Sequence, residues 1–235
     1  METHHILIGI PGSGKTTLAL ALQRHLPNSE VISTDAIRQK LYGDPAIQGN
    51  WSDIFTQVQR QFDQWMTQGK TIIYDATNVK RSWRSSVLSL SDQAWVGWHL
   101  TTPIETCLEW NQKRDRQVPE AVIQNLYRAL VKDGISCTEG MDIVEAIDIS
   151  QYPDLPQHLL ERLPPLVSYL EEISAMADDM FSGQDRFTQK ECRWLARMAI
   201  ELERYTLPTY GDCLDNFCNS ATPYMGAATT YMGGQ

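Results

Sequence analysis

The sequence predicts an α/β fold: a doubly wound parallel sheet with helices on both faces. Two observations carry that expectation. Short apolar runs alternate with helical-period segments over about the first 150 residues. The first of these runs opens directly into a glycine-rich loop and then a helix. Composition agrees, since 42% hydrophobic and 21% charged residues in a chain of 235 support one sizeable core plus a smaller one.

Residues 4–10 form a buried strand ending in glycine, and Lys15 to about Arg24 a helix with Leu18, Leu20, Ala21 and Leu22 on its apolar side. Residues 30–34 make a second strand ending at Asp35, followed by a short helix from Ala36 to Tyr42. Turn residues around Gly43 and Gly49 precede a longer helix, Asp53 to about Gln68, for which Ser52 is the expected cap. Lys70–Tyr74 is a third strand running into Asp75, Ser82 to about Leu90 a helix, and Trp95–Leu100 a fourth strand. Pro103 opens a helix to about Arg114, and Pro119-Glu120 opens another through Leu130. Ile143–Ile149 is the fifth strand.

After Ser150 the texture changes. Pro153, Pro156, Pro164 and Pro165 are expected to punctuate a linker ahead of a helix over 166–181. Thr188 and Glu191 form a capping box for a helix from Gln189 to about Tyr205. Trp194, Leu195, Met198, Ala199 and Leu202 are its expected apolar stripe, packed on the core or within a helical pair. Residues 206–235 show no period and read as irregular. The division expected is 1–149 as the main domain and 150–235 as linker, helical extension and tail.

The run Gly9-Ile10-Pro11-Gly12-Ser13-Gly14-Lys15-Thr16 matches the G-x-x-x-x-G-K-[ST] phosphate loop in full, with Thr17 next to it. Its glycines let successive backbone N–H groups face phosphates, Lys15 suits the β/γ-phosphates, and the Thr16 hydroxyl suits Mg²⁺. The implied ligands are ATP, or GTP, with Mg²⁺. Asp35 ends a strand next to the crevice where such sheets bind ligands, suited to accept a hydroxyl proton, and Arg38 lies one turn further on. Asp75 ends the third strand, where an acidic residue can hold the Mg²⁺ shell. The basic turn with Lys113, Arg114 and Arg116 can act as a mobile lid that neutralises a transferring phosphoryl group. Lys80, Arg81 and Arg84 are secondary acceptor-binding candidates.

Charge and cysteine usage narrow the classes. Residues 1–149 hold 14 basic against 17 acidic side chains, and residues 150–235 hold 6 against 12, together net −9. An acidic chain is a poor generic nucleic-acid binder, so a polynucleotide substrate requires a local basic channel. The five cysteines form no CxxC pair, which indicates reduced thiols; Cys213 and Cys218 have no nearby third ligand for zinc. No apolar run approaches a membrane span and no signal-peptide pattern opens the chain, so the expected location is the cytoplasm, with no membrane partner.

Four blocks, Gly9–Thr17, Ser33–Arg38, Asp75–Asn78 and Cys107–Ile123, occur in the order that resembles the polynucleotide 5′-kinase-like branch of P-loop kinases. That branch includes the kinase modules of phage and bacterial RNA-repair enzymes and zeta-toxin-like relatives. The resemblance covers about residues 4–149. It implies a three-layer α/β/α fold with a five-stranded parallel sheet in the order 2-3-1-4-5. It further implies Asp35 as general base on the acceptor hydroxyl, Arg38 as an acceptor contact, and Arg114 and Arg116 as lid arginines. The implied activity is transfer of the ATP γ-phosphate to a hydroxyl, with a polynucleotide 5′-OH first among acceptors. Related sequences phosphorylate small molecules such as gluconate, antibiotics or nucleotide sugars, so a small-molecule kinase is the nearest alternative. A nucleotide-dependent switch that binds a protein partner through residues 150–235 is the alternative of a different class.

Overall fold

The computed structural model describes residues 3–183 and 186–206. Five parallel strands, β1 (Thr3–Ile8), β2 (Ser29–Ser33), β3 (Thr71–Asp75), β4 (Ala94–Leu100) and β5 (Ile143–Ile147), form one sheet in the order β2-β3-β1-β4-β5. This is the predicted order. The period-2 alternation of side chains divides the strands between two cores. Ile6 and Ile8 of β1, Ile72 and Tyr74 of β3 and Trp95 of β4 face one side. There they meet α2 (Thr34–Tyr42), α3 (Trp51–Met66), α4 (Arg81–Leu88), α5 (Ile104–Gln112) and α6 (Glu120–Asp133) through residues such as Ile37, Ile54, Phe62, Val87, Cys107 and Ile123. Leu7, Ile73, Val96 and Trp98 face the other side, against Leu18 and Leu22 of α1 (Lys15–His25) and Leu159, Leu166 and Leu170 of α7 (Leu155–Phe181). Burial on both faces explains why these strands read as nearly continuous apolar runs.

Several boundaries differ from expectation for identifiable reasons. β2 stops at Ser33, whose hydroxyl caps α2 by accepting from the Ala36 N–H at 3.5 Å, so Asp35 lies in the first turn of α2 and not at a strand end. Asn50, not Ser52, caps α3: its side-chain oxygen accepts from the Ser52 N–H at 3.0 Å. The expected proline-punctuated linker is largely helix. Pro156 occupies the first turn of α7, where a missing N–H costs nothing, and Pro164 and Pro165 lie inside the helix. Both are exposed, as are Leu160 and Glu161, whose carbonyls lose their donors. The break in hydrogen bonding therefore faces solvent, while Leu159, Leu166 and Leu170 hold the opposite face in the core.

α8 (Gln189–Thr206) begins with the expected capping box, Thr188 and Glu191 exchanging backbone-to-side-chain bonds of 2.8 and 3.2 Å. Its buried face is not the expected stripe. Cys192, Ala196 and Ile200 pack on Ile173 and Ala177 of α7, whereas Trp194 and Leu202 are exposed. Arg193 and Arg197 are buried beside that seam, and their pairing with Asp142 turned a polar-looking face inward. The irregular tail expected over 206–235, with Cys213 and Cys218, lies almost wholly outside the described residues. Among the described residues no helix is long and apolar enough to cross a membrane, and no group of three metal-ligating side chains occurs.

Candidate active site

The sheet order reverses around β1, and the crevice at the carboxyl ends of β1, β3 and β2 collects the predicted residues. The loop after β1 turns on Gly12 and Gly14, both in the left-handed region at φ 87° and 89°. A Cβ on Gly12 would collide with the carbonyl oxygen of Cys107, and one on Gly9 would press on the Ser13 hydroxyl. The loop is thus a cradle with no room for side chains. Its neighbours brace it: the Gly9 N–H donates to Thr77 O at 3.0 Å, and the Thr102 hydroxyl to Ser13 O at 3.1 Å. Gly14 caps α1 without a side chain, leaving the first N–H groups of that helix to an anion. Thr16 and Thr17 are exposed in that first turn, and Pro11 is half-buried on the loop's rim.

Lys15 folds over the loop, its ammonium donating to Ile10 O at 2.8 Å. Burial pushes its pKa down to about 8; Asp75 opposes that shift and the nearby Arg114 adds to it. A half-desolvated ammonium waiting beside a ring of N–H donors fits a polyanionic ligand. The Ser13 hydroxyl, buried without a hydrogen-bond partner among the described residues, fits it too. Across the crevice the Thr16 hydroxyl donates to Asp75 Oδ2 at 2.9 Å. Burial raises the Asp75 pKa, opposed by Lys15 and by the Thr16 bond. A hydroxyl and a carboxylate in contact beside the phosphate cradle are an oxygen donor set suited to Mg²⁺.

β2 and β3 pair with Ser33 opposite Asp75, so α2 starts immediately beside the third strand's carboxylate. Asp35 therefore stands two strands from the phosphate loop, on the order of 10 Å at the usual strand spacing. Two guanidinium groups hold its carboxylate. Arg38 Nη1 donates to Oδ1 at 2.8 Å and Arg116 Nη1 to Oδ2 at 3.2 Å. Asp35 is 58% exposed at its side chain while Arg38 is 14% exposed, its Nε buried without a hydrogen-bond partner among the described residues. The clamp spans 81 residues of sequence and fixes the basic turn over the crevice. Arg114, on the same turn, is exposed, yet its charge acts on Lys15, Asp75 and Cys107.

Two positioning residues escaped the sequence reading. Asn78 adopts φ 52°, a conformation asparagine tolerates better than most residues, and its amide donates to Leu7 O at 2.7 Å, tying the segment after Asp75 to β1. Asn111 brackets the basic turn, donating to Val118 O at 2.8 Å and accepting from the Val118 N–H at 2.9 Å. An Asn seven residues before its partner has no local pattern to give it away. Arg84, in contrast, leaves the list of acceptor contacts. It is fully buried, forks onto Glu139 at 2.5 and 2.8 Å, and donates to the carbonyls of Asn78, Val79 and Gly134. Lys80 stands over the Trp83 ring, 5.1 Å from its centre, and the Arg81 backbone N–H donates to Asp133, so neither is drawn into the crevice by these contacts.

Comparison with known proteins gives the family and the fold it shares. The chain is 24% identical over 173 residues to the L-seryl-tRNA(Sec) kinase of Methanococcus maripaludis, spanning 66% of this chain and 64% of that protein. Its fold is shared with a chain of the Pnkp1/Rnl/Hen1 RNA repair complex, with a TM-score of 0.52, 19% identity and coverage of 56% of this chain and 45% of that one. A sugar kinase from a Janibacter species shares it as well, at a TM-score of 0.52, 21% identity and coverage of 72% and 95%. The AAA domain family model matches residues 5–131, from β1 through the phosphate loop, the Asp35 helix and the basic turn into α6. That match covers more than half of the sequence, and the chain belongs to this AAA-domain family of P-loop kinases.

Proposed function

We propose that this protein transfers the γ-phosphate of ATP to an acceptor hydroxyl, and that the acceptor is the 5′-OH end of a polynucleotide. The observation that carries the reading is the Asp35 carboxylate, gripped by Arg38 and Arg116, facing Lys15, Thr16 and Asp75 across about two strand widths. In this mechanism the loop N–H groups and Lys15 hold the β- and γ-phosphates. Thr16 and Asp75 would hold Mg²⁺, which would neutralise charge on the phosphate oxygens. Asp35 accepts the hydroxyl proton as the oxygen attacks the γ-phosphorus, the bond to the β,γ-bridging oxygen breaks and ADP leaves, and Arg38 and Arg116 keep the carboxylate aimed. Arg114 and Arg116 meet the charge that spreads over the equatorial oxygens.

Three features support a large anionic acceptor. Asp35 is open to solvent at the crevice mouth, so a hydroxyl at the end of a long molecule can reach it. The Arg38 Nε beside it, without a hydrogen-bond partner among the described residues, suits a phosphate of the same strand. The similarity to a kinase that acts on seryl-tRNA points the same way. The test is transfer of label from γ-labelled ATP to 5′-OH RNA and DNA oligonucleotides, alongside sugars and other small hydroxyl compounds. Label on oligonucleotide ends supports the proposal. Label on a small molecule alone makes this a metabolite kinase, and ATP hydrolysis without transfer makes it a nucleotide-dependent switch.

A further inference from the structure

A cavity of about 350 Å³ opens between the first turns of α8 and the segment 137–142, which precedes β5. It therefore lies at the amino end of the strands, one strand length of about 16 Å or more from the phosphate loop. Its size is at the lower end of the range for small-molecule sites. Met141 and Trp194 supply apolar wall, and Lys190, Arg193 and Arg197 supply positive charge.

Not all of that charge is compensated. Arg193 is matched by Asp142, its Nε donating to Oδ1 at 2.7 Å, and Glu139 is matched by Arg84. Glu191 is occupied with the backbone and hydroxyl of Thr188. Lys190 is different: its ammonium donates to Leu88 O at 2.7 Å and has no carboxylate within 4 Å among the described residues. Its chain lies against Gly140, where a Cβ would come within 2.6 Å of Cε, so the glycine (φ 107°) clears its path. Arg197 is 6% exposed, donates Nη1 to Asp142 O at 3.2 Å, and keeps a buried Nε without a hydrogen-bond partner among the described residues. The carboxylate nearest that Nε is Glu201, 3.5 Å away and itself 43% exposed. Lys190, half-buried and acted on by Asp142 and Asp92 at longer range, and Arg197, whose Nε has only the 3.5 Å ion pair with Glu201, both keep donor capacity for a further anion on one cavity rim.

We infer that this cavity is a binding site for a small organic anion, its phosphate or carboxylate seated on Lys190 and Arg197 and its apolar body against Met141 and Trp194. The site is separate from the kinase crevice and does not depend on the proposed reaction. Calorimetric titration with phenyl phosphate and with benzoate, in saturating ADP and Mg²⁺ to fill the phosphate loop, tests it and distinguishes the two head groups. One equivalent of at least one probe is expected to bind. Arg197→Met and Lys190→Met should each weaken it about tenfold or more, the loss expected for a charged hydrogen bond, and Lys15→Met should leave it unchanged. Lys190, half-buried at the rim, serves where Arg197→Met compromises folding. Absence of binding at millimolar probe, or binding that Lys15→Met removes and Lys190→Met does not, overturns the inference.

Discussion

Replacing Arg84 by methionine separates a residue that lines a substrate groove from one that holds the framework behind it. The guanidinium makes both bonds to the Glu139 carboxylate and also serves the carbonyls of Asn78, Val79 and Gly134. Arg84 has no exposed side-chain surface and Glu139 has 2%. Methionine fills much of the volume but leaves a buried carboxylate and three carbonyls without their donor. Breaking a buried pair from one side costs about 3–5 kcal/mol, a large share of the roughly 5–15 kcal/mol by which domains are stable. At about 2–4 °C per kcal/mol for a chain of this size, the melting temperature should fall by roughly 6–20 °C. Arg84→Lys keeps the charge but not the fork, and should recover only part of the loss. Thermal and urea unfolding measure it. A loss below about 1 kcal/mol, or a raised KM for acceptor at unchanged stability, would refute the reasoning and return Arg84 to the substrate groove.

Other consequences are as direct. Arg116→Ala leaves Asp35 with Arg38 alone and removes charge from the basic turn, so on the proposed reaction kcat should fall by roughly 10²-fold while the Kd for ATP stays nearly constant; an equal rise in that Kd would make Arg116 a nucleotide contact. His4 and His5 are buried and neutral, accepting from the Ile72 N–H and the Trp98 indole, with burial holding their pKa values down to about 4 and about 3. Because the unfolded chain takes up their protons below about 6.5 and the folded one does not, stability should be full above that pH and decline as it falls toward 4. By pH 5 each histidine should cost about 2 kcal/mol, and His5→Gln should flatten the urea midpoint between pH 6.5 and 5. With Lys15 held down to about 8 by burial, ATP binding at pH 8.5 should take up a proton as the phosphates restore the ammonium. Calorimetry in buffers of different ionisation enthalpy detects it, and uptake that persists in Lys15→Met would show another group to be its source.

What was legible in the sequence follows from how local each signal is. The phosphate loop carries its chemistry in eight consecutive residues and each strand reads as an apolar run, while the strand order that places the crevice is what the family resemblance implies. Asp35 lies beside the crevice although it belongs to a helix and not to a strand end, because a helix that starts at the end of a strand leaves its first turn facing the same crevice. The failures lie where a distant partner decides. Arg84 reads as an acceptor-binding candidate because Glu139, which pairs with it in the interior, comes 55 residues later. Arg193 and Arg197 hid the inward face of α8 because apolar periodicity counts arginine as outward, and Asp142 reverses that. Pro164 and Pro165 suggested a break, yet their lost hydrogen bonds fall on the solvent side of a helix held by leucines on the other. The Asp35–Arg116 contact joins two segments whose pairing no local pattern encodes.

The central claim is that Asp35 serves the acceptor and not the nucleotide. Asp35→Asn keeps the size of the side chain and removes the base. Single-turnover transfer from γ-labelled ATP to the accepted hydroxyl, measured with the Kd for ATP, decides the matter. The account predicts transfer slowed by roughly 10²–10⁴-fold with ATP affinity nearly unchanged. Transfer at the wild-type rate, or a loss explained by weakened ATP binding, would contradict it.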